Sequence, residues 1–588
     1  MKTKSIFILS TLPLFLLVSC GKNNTNSVTY SEKEVNIYRR KNVVDKKISM
    51  RFFEDSPNVP YISVLKYFKE FYSSELTKSV NKHKYIYRND AQRFLQFDID
   101  KQELSSDYLD SFSRHPDFIE NNYSLFLKTK SIEITQPKVK TVSLNKYSIQ
   151  IYQDNGEAYV PLSFLSAITG GTQLYDIAYN GKDIYVIDWN GQLGVATSPS
   201  YYGATYWERL KNINEKRPRD LANYSYNELC FVFDNLRGET KQLYMGEENL
   251  NSLGLDGVLS RDYPKTKEYL LSTDKQDYYE GYNSLFITLS DGGHTGIPGA
   301  AKFEALNTAA RKESEEEFKT LIDYSETEYS KDEGVYISYY ICKMQSLDVT
   351  GNYYKYDETT KTALIGFDEF AIDYEGWDNY YNQDGEVPVS TDSYAFVRDS
   401  VYKAKVDGAV NLVLDLTTNT GGSSYALEGI MSLFNNAEGY IKMKDTFNEC
   451  TNKETHLIDI NLDGKFDEAD VNETKSFNFN VAVMTSCVSF SCGNLLPFTM
   501  KELGYKIIGE QSGGGSCAIS LQTTGDGLGY IHSSHLCLTD EKGENIDGGV
   551  PVDYEIERQS TTSSTLYYCY DFYDFDIVSN IVNELYSD

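Results

Sequence analysis

The stretch NLVLDLTTNTGG, from Asn411 to Gly422, decides the fold class of this chain. Its first half is mostly apolar, which predicts a strand buried on both faces, and its glycine pair predicts a sharp turn at the strand end. The segments DSVYKAKVDGAV (399–410) before it and SSYALEGIMSLF (423–434) after it have the spacing of amphipathic helices. Helix and strand therefore alternate, which predicts a parallel sheet with helices on its faces.

The alternation extends to both sides of this stretch. TALIGFDEF (362–370) predicts an earlier strand, and FNVAVMTSCVSFSCGN (479–494) predicts a later buried strand that ends at a turn. NLLPFTMKELGY (494–505) predicts a helix, and KIIGEQSGGG (506–515) predicts a strand that runs into a glycine turn. In such sheets the reactive groups gather at the carboxyl ends of the strands, so the chemistry is expected there.

Ser491 stands where one strand candidate stops and a helix begins, in SFSCGN. A hydroxyl at such a turn projects from the sheet edge, and the amide of the next residue, Cys492, points toward a developing oxyanion. The neighbouring strand end offers Gly422 or Gly421 as the second oxyanion donor. Ser489 and Cys492 are alternative nucleophiles, but the position of the strand end favours Ser491.

Taken in order, LVLDLTTNTGG, SFSCGN and IIGEQSGGG resemble the core of the tail-specific and C-terminal-processing serine peptidases. That crotonase-like core also occurs in tricorn and in retinoid-binding repeats. The resemblance extends from Tyr201 to Ile556. It implies that Ser491 is the nucleophile, that the glycine-rich strand end forms the oxyanion hole, that the substrate is a polypeptide, and that catalysis requires no cofactor.

The identity of the general base depends on whether the chain resembles the Ser/Lys branch or the Ser/His branch of this family. In the Ser/Lys branch a lysine lies in the glycine loop after the IIGE-type strand, whereas this chain has Gly515 there. A serine without a base is a poor nucleophile, and the chain has six histidines. His294 stands in DGGHTG, which resembles the D-G-H-T motif that carries the base in the Ser/His branch. His532 and His535, on a strand candidate, are the alternatives.

A third group is expected to orient the imidazole and to stabilise its charge. The family supplies a carboxylate in a stretch that corresponds here to ENIDGGVPVD (544–553). The position that aligns with the usual glutamate is Ile546, so this chain departs from the pattern. Asp547 is the nearest carboxylate and our choice, with Glu544 as the alternate.

The N-terminus resembles a bacterial lipoprotein signal. Lys2 and Lys4 precede an apolar stretch that is too short to span a bilayer and that ends in LVSCG. The resemblance implies lipid on Cys20 and a location on the outer face of the bacterial cell membrane, with an otherwise soluble chain. The alternative is a simple secretory peptide in which Cys20 is incidental.

Two segments of the N-terminal region echo each other, SPNVPYISVLKYF (56–68) and GEAYVPLSFLSAI (156–168). In each, an extended segment ends in Val-Pro and apolar residues at helical spacing follow, so the proline predicts a helix start. The repeat resembles the stalk-like domain at the N-terminus of copper amine oxidases and of many Gram-positive surface proteins. In those proteins it binds or spaces and does not catalyse.

The expected fold class is α/β: a mostly parallel peptidase core with a helical N-terminal subdomain, preceded by an α+β stalk-like domain. The chain is too long for one ordinary core, and its net charge of −30 argues against nucleic acid as a partner. The expected ranges are 1–20 (signal peptide), 21–29 (tether), 30–195 (stalk-like domain), 200–299 (helical subdomain with His294), 300–361 (connecting insert), 362–560 (core with Ser491) and 561–588 (C-terminal tail or helix).

An acidic insert, residues 437–476, interrupts the core and contains DINLDGKFDEAD. Oxygen-bearing residues recur there at the spacing of a calcium loop, and Gly464 at the sixth position permits the sharp turn. The last position is Asp where Glu is usual, which shortens the bidentate reach. A bound calcium would rigidify the insert; the alternative is a solvated acidic insert. The candidate ligands are Asp459, Asn461, Asp463, Lys465, Asp467 and Asp470.

The sequence thus predicts a lipid-anchored extracytoplasmic serine endopeptidase with a Ser-His-Asp or Ser-His-Glu mechanism. No PDZ-like module stands between His294 and the sheet core, so recognition of a free C-terminus does not transfer from the processing peptidases. The missing lysine and the displaced carboxylate leave an alternative: a catalytically inactive peptidase-like surface protein that binds peptides or cell-wall ligands.

Overall fold

The computed structural model describes residues 28–38, 44–113, 125–173, 175–188, 216–238, 240, 243–298, 316–539, 545–563 and 565–587. The predicted signal peptide with Cys20, most of the tether, and Glu544 lie outside these residues. The described residues form a mixed α/β protein with five sheets and three hydrophobic cores.

The N-terminal region is built mainly of strands. A seven-stranded sheet has the order β10-β11-β3-β2-β1-β13-β12, and a five-stranded sheet has the order β4-β5-β6-β7-β9. The elements are β1 (Tyr30–Tyr38), β2 (Lys46–Phe53), β3 (Tyr61–Ser63), α1 (Val64–Tyr72), β4 (Thr77–Asn81), β5 (Lys84–Arg88), β6 (Phe94–Asp98), β7 (Glu103–Ser106), β8 (Leu127–Ile134), β9 (Lys140–Ser143), β10 (Tyr152–Asp154), β11 (Glu157–Pro161), α2 (Leu162–Thr169), β12 (Tyr175–Tyr179) and β13 (Ile184–Asp188).

The two echoing segments lie side by side in the seven-stranded sheet. Each runs from a strand directly into a helix, β3 into α1 and β11 into α2. The predicted helix start at the proline is confirmed for Pro161, which directly precedes α2, but it is wrong for Pro60, because the strand β3 follows Pro60 and α1 begins only at Val64. The two strands pair antiparallel, with Val160 opposite Ile62 and Pro161 opposite Tyr61. Pro161 is the N-cap of α2, where its fixed φ and missing N–H cost nothing.

The helical region shares its core with these sheets. Its helices are α3 (Arg219–Asn235), α4 (Glu247–Asp262), α5 (Pro264–Leu270) and α6 (Lys275–Thr288). One hydrophobic cluster includes residues of the N-terminal sheets and of these helices, and the rings of Phe164 and Phe231 lie 4.7 Å apart across it. In the described residues, therefore, no core boundary separates the predicted ranges 30–195 and 200–299.

Strands and helices alternate through the rest of the chain. They are α7 (Glu316–Leu347), β14 (Tyr353–Asp357), β15 (Thr362–Gly366), α8 (Tyr374–Asn382), α9 (Ser393–Asp407), β16 (Asn411–Asp415), α10 (Ser424–Ser432), β17 (Glu438–Asp445), β18 (Cys450–Ile458), α11 (Glu468–Thr474), β19 (Asn480–Thr485), α12 (Cys492–Glu502), β20 (Lys506–Gly509), β21 (Cys517–Thr523), β22 (Gly529–Leu538), β23 (Tyr554–Glu555), β24 (Gln559–Ser560), β25 (Tyr567–Tyr568) and α13 (Phe575–Leu585). Of the helices described, none is both long and apolar enough to cross a membrane.

The central sheet has the order β14-β15-β16-β19-β20-β23, and every pair in it is parallel except β14 with β15. Because successive side chains of a strand point to opposite faces, each buried strand contributes to two cores. Leu412 and Leu414 face the core that contains residues of α9, α10 and α12, whereas Val413 faces the core that contains residues of α7 and α13. Both faces are therefore covered, as the continuous apolar strands predict.

A second, antiparallel sheet of the order β21-β22-β17-β18-β8 joins the regions. Its strand β8 comes from the range predicted as a separate N-terminal domain and pairs with β18 of the acidic insert. In the range predicted as a connecting insert, β14 is an edge strand of the central sheet.

Candidate active site

Ser491 occupies the turn between β19 and α12. Its backbone has φ 56° and ψ −119°, a conformation that a non-glycine residue rarely adopts and that costs about 1–3 kcal/mol. The Ser491 amide donates a 2.9 Å hydrogen bond to the Gly514 carbonyl, which ties the turn to the glycine loop after β20. In α/β-hydrolases a strained strand-to-helix turn of this kind presents the nucleophilic serine.

The two glycines predicted as oxyanion donors differ in whether their amides are already hydrogen-bonded. The Gly421 amide donates to Asn419 Oδ1 at 2.9 Å, so it is not available to a substrate. Within the described residues, the amides of Gly422 and Cys492 have no hydrogen-bond acceptor. A Cβ on Gly421 would lie 2.6 Å from Ser491 Cβ and 3.1 Å from the Cys492 nitrogen, so glycine lets the two strand ends meet. Gly422 and Cys492 are the better pair.

The two alternative nucleophiles are occupied. The Ser489 hydroxyl donates to the Leu416 carbonyl at 2.7 Å and accepts from the Ser486 amide at 3.0 Å. Cys492 Sγ donates to the Gly422 carbonyl at 3.2 Å, and burial raises the pKa of the Cys492 thiol to about 12. A thiol of that pKa is almost fully protonated at neutral pH, so it is a poor nucleophile.

His294 lies in a loop that is folded around Asp291. The Asp291 carboxylate accepts hydrogen bonds from the amides of His294 (3.1 Å) and Thr295 (2.7 Å), and from the Thr295 hydroxyl (2.6 Å). It also accepts from the Ser533 hydroxyl at 2.7 Å, which ties the loop to β22. Asp291 is thus a site residue that was not predicted from the sequence, although it is the first residue of the DGGHTG motif.

The His294 ring is buried against Phe490, the residue before the candidate nucleophile. Only 4% of the residue is exposed, and its ring packs edge-on against the ring of Phe490 with centroids 4.9 Å apart. Within the described residues, neither ring nitrogen has a hydrogen-bond partner, and no bond to the Ser491 hydroxyl is formed. Buried polar atoms without partners are rare, and a catalytic role is one explanation for them.

The surroundings of His294 favour the neutral imidazole. Burial lowers the pKa of His294 below its usual value, and the negative charges of Asp291 and Asp547 act in the opposite direction. A neutral imidazole can accept a proton, whereas the charged form cannot.

Asp547, the predicted third residue, is also buried here. Its carboxylate accepts from the Ser516 amide at 3.0 Å and from the Ser516 hydroxyl at 3.3 Å. Asn545 fixes the same turn, because its Oδ1 accepts from the Asp547 amide at 2.7 Å and from the Ser516 hydroxyl at 2.6 Å. Ile546 instead packs against the apolar core, so the position that aligns with the family glutamate carries no charge.

Residues 379–556, which contain Ser491 and Asp547, match the model of peptidase family S41. Over these residues the chain is similar to peptidase family S41. The family supports a serine-type peptidase, whose substrate is a polypeptide. A comparison with curated proteins gave no match.

Three solved structures show a weak likeness to the chain. A lipoprotein from Streptococcus agalactiae is 17% identical with a TM-score of 0.32, over 59% of this chain and 94% of that one. The photosystem II D1 C-terminal processing protease is 14% identical with a TM-score of 0.26, over 38% and 46%. The tricorn protease is 12% identical with a TM-score of 0.24, over 92% and 43%. All three TM-scores are below 0.5.

The S41 segment, residues 379–556, has Gly515 where the Ser/Lys branch has lysine, and the Phe490 ring lies beside this glycine. Gly515 has φ 79°, and a Cβ there would lie 2.5 Å from Cζ of Phe490. The Phe490 ring therefore fills the place that a side chain at position 515 would need, and it packs against His294 instead.

The two alternative histidines of the S41 segment are core residues. His532 lies against the rings of Phe233 and Tyr530, at centroid distances of 5.5 and 5.9 Å, and burial lowers its pKa to about 3. His535 is also buried and faces the ring of Phe447 at 6.3 Å.

The acidic loop of the S41 segment is closed by its own amides. Asp459 accepts from the amides of Asp463 (3.1 Å) and Gly464 (2.7 Å), and Asp470 accepts from the amides of Ile460 (2.8 Å) and Asp467 (3.0 Å). The remaining predicted ligands bond within the loop: Asn461 to the Asp463 amide, Asp463 to Lys465, and Asp467 to the Ala469 amide. In the part of the chain that the structure describes, no group of three or more His, Cys, Asp or Glu side chains is arranged to hold a metal. Calcium binding stays a prediction.

Proposed function

We propose that this protein is a lipid-anchored extracytoplasmic serine endopeptidase with Ser491 as nucleophile and His294 as general base. The observation that carries the proposal is the burial of His294 against Phe490, with both ring nitrogens lacking partners, one residue from a strained serine. The predicted serine and histidine are 197 positions apart (491 − 294), so only the fold can place them together.

The proposed first step is attack of the Ser491 hydroxyl on a peptide carbonyl. His294 takes the hydroxyl proton, and the negative charge on the carbonyl oxygen is held by the amides of Gly422 and Cys492. Collapse of this intermediate breaks the C–N bond as His294 returns the proton to the leaving amine. The resulting acyl-enzyme is hydrolysed when His294 takes a proton from water.

Asp547 is proposed to stabilise the imidazolium that forms in both steps. Its charge already acts on His294, and the Ser516 amide holds its carboxylate in place. The hydrogen bond between His294 and Ser491 is expected to form when substrate binds, because catalytic hydrogen bonds are often long or absent without it. Serine, histidine and backbone amides supply every role, so we propose no cofactor for the chemistry.

The proposed location follows from the lipoprotein-like N-terminus. Lipid on Cys20 would hold the chain at the outer face of the membrane, so the substrate would be an exported or extracellular polypeptide. Growth with a radiolabelled fatty acid tests this: the wild-type chain is expected to carry label, and the Cys20→Ala chain is not. Label that persists in Cys20→Ala would contradict the anchor.

Labelling with a fluorophosphonate serine probe tests the proposed chemistry. Wild type is expected to be labelled, and Ser491→Ala and His294→Ala are expected to lose labelling. Ser330→Ala, an exposed serine on α7, and His83→Ala, a partly exposed histidine, serve as matched controls that keep it. A folded wild-type chain that stays unlabelled and cleaves no unfolded protein would favour the inactive peptide-binding alternative.

A further inference from the structure

Two cysteines that the proposed chemistry does not use face each other next to the site. Cys517 begins β21 and Cys537 lies near the end of β22, and the two residues are directly opposed in the antiparallel register. Their sulfurs are 3.0 Å apart, and each residue is 2% exposed.

The surrounding chain leaves room for both sulfurs. Gly238 packs against both sulfurs, and a Cβ at this position would lie 2.4 Å from Cys517 Sγ and 2.6 Å from Cys537 Sγ. The Gly238 amide donates to the Ser533 carbonyl at 3.1 Å, so the crossing segment is fixed to β22. Directly opposed residues of antiparallel strands have Cα atoms about 4.5–5.5 Å apart, which lies within the range that a disulfide spans.

The pair is joined to the third catalytic candidate through Ser516. The Ser516 amide donates to Asp547, and the Ser516 carbonyl accepts from the Leu538 amide at 2.8 Å. Each cysteine is thus one residue from a hydrogen bond that positions Ser516, and Ser516 holds the carboxylate whose charge acts on His294.

We propose that Cys517 and Cys537 form a disulfide that holds Ser516, and through it Asp547, in position beside His294; the positioning half rests on the proposed function. Asp547 would remain the group that acts on the imidazole. The two cysteines are positioning residues. The proposed extracytoplasmic location is a compartment in which disulfides form and persist.

The oxidant is a second disulfide, either of a thiol–disulfide oxidoreductase or of a small molecule such as oxidised glutathione. One cysteine thiolate attacks that disulfide and releases one thiol, and the other cysteine then attacks the mixed disulfide and releases the second thiol. Two protein sulfurs are oxidised and one disulfide is reduced to two thiols. The contact with Cys537 and burial raise the pKa of the Cys517 thiol well above its usual value, so closure is expected during folding, before the pair is buried.

Peptide mapping tests the bond without any measurement of activity. The full chain is produced by secretion, and a second sample is folded in the presence of oxidised glutathione. Remaining thiols are alkylated in denaturant before digestion and mass spectrometry. A peptide pair linked through Cys517 and Cys537 is expected in wild type and in the control Cys450→Ser, and it is expected to be absent from Cys537→Ser. Recovery of both cysteines in alkylated form from both samples would overturn the proposal.

The rate of fluorophosphonate labelling across pH tests the positioning role. Reduction, or the double change Cys517→Ser and Cys537→Ser, is expected to slow labelling by up to about 100-fold, the loss typical of a displacement of about 1 Å. The acid limb is also expected to move to lower pH, because His294 loses part of the charge that raises its pKa. If neither the labelling rate nor the acid limb of its pH profile changes, the positioning role is overturned, whereas the disulfide itself is not. An oxidised, folded chain that is never labelled would instead refute the proposed peptidase, and the mapping result would still stand.

Discussion

At the scale of single residues, Phe490 shapes the candidate site as much as Ser491 does. Its ring packs against His294, the proposed base, and fills the space beside Gly515 that a side chain at position 515 would need. Asn419 determines which amides can act as oxyanion donors. Its side chain accepts the Gly421 N–H, so the amides of Gly422 and Cys492 stay available to a substrate.

The first prediction concerns the pH dependence of peptide hydrolysis. Burial lowers the pKa of His294, so the neutral base persists as the pH falls below the usual histidine value of about 6.5. We expect the acid limb of the kcat/KM profile to have its midpoint below pH ~6.5. A midpoint well above that value would contradict this assignment of the base.

The second prediction separates the two carboxylates near His294. Asp547→Asn is expected to lower kcat/KM by about 10²- to 10⁴-fold and to move the acid limb to lower pH, since a negative charge is lost. Asp291→Asn is expected to lower both kcat/KM and the melting temperature, because Asp291 accepts four hydrogen bonds that hold the His294 loop in place. If only Asp291→Asn impairs hydrolysis, Asp291 and not Asp547 orients the imidazole.

At the scale of secondary-structure elements, a buried ion pair joins α10 to β18. His456 Nδ1 lies 2.6 Å from Glu428 Oε2, and both side chains are at most 4% exposed. Burial disfavours the charged imidazole, but the hydrogen bonds and charges of Glu428 and Glu454 outweigh it and raise the pKa of His456 to about 9. The pair thus links the helix after the glycine pair to the acidic insert.

The third prediction uses this pair. The folded-state pKa of His456 is raised, so its stabilisation is complete below pH ~6.5 and is lost as the pH rises through about 9. His456→Gln is expected to lower the free energy of unfolding by about 3 kcal/mol near pH ~6.5 and by clearly less above pH ~9, measured by urea denaturation. His83→Gln, whose partner Asp100 is exposed, is the control and should cost less than about 1 kcal/mol. A cost independent of pH would rule out a charged pair.

The fourth prediction concerns the acidic loop between β18 and α11. We propose that it binds calcium, with Asp463 turned toward the ion in place of Lys465. Titration calorimetry is expected to show binding to wild type and weaker binding to Asp463→Asn, with Asp357→Asn, an aspartate in another turn, as the control. If wild type takes up no calcium, the loop is closed by its own amides alone.

At the scale of the whole molecule, the N-terminal sheets and the peptidase share cores and strands. The largest cluster includes Phe164 and Phe231 from the two regions, and β8 extends the sheet that contains β21 and β22. Asp176 in β12 hydrogen-bonds the Thr523 hydroxyl of β21, a further buried contact between the regions.

The fifth prediction follows from this shared core. A chain that begins at residue 216 is expected to be insoluble or to lack a cooperative unfolding transition, because it exposes the apolar surface that the N-terminal sheets cover. Thermal unfolding followed by circular dichroism checks this. A truncated chain that unfolds cooperatively near the wild-type temperature would show that the regions fold independently.

The local features of this protein could be predicted from its sequence because they depend on neighbours in the chain. The buried parallel strands, the turn at Ser491, the paired Val-Pro segments and the DGGHTG loop each have a pattern of apolar spacing, glycine or proline that acts over a few residues.

Contacts between distant residues were decided only by the tertiary structure. The sequence did not show that Asn419 consumes the Gly421 amide, that Phe490 fills the place of the missing lysine, or that Asp291 folds the histidine loop. It also did not show that β8 joins the insert. These arrangements depend on packing and on competition for hydrogen-bond partners between segments far apart in the chain, and such competition leaves no periodic pattern in the sequence.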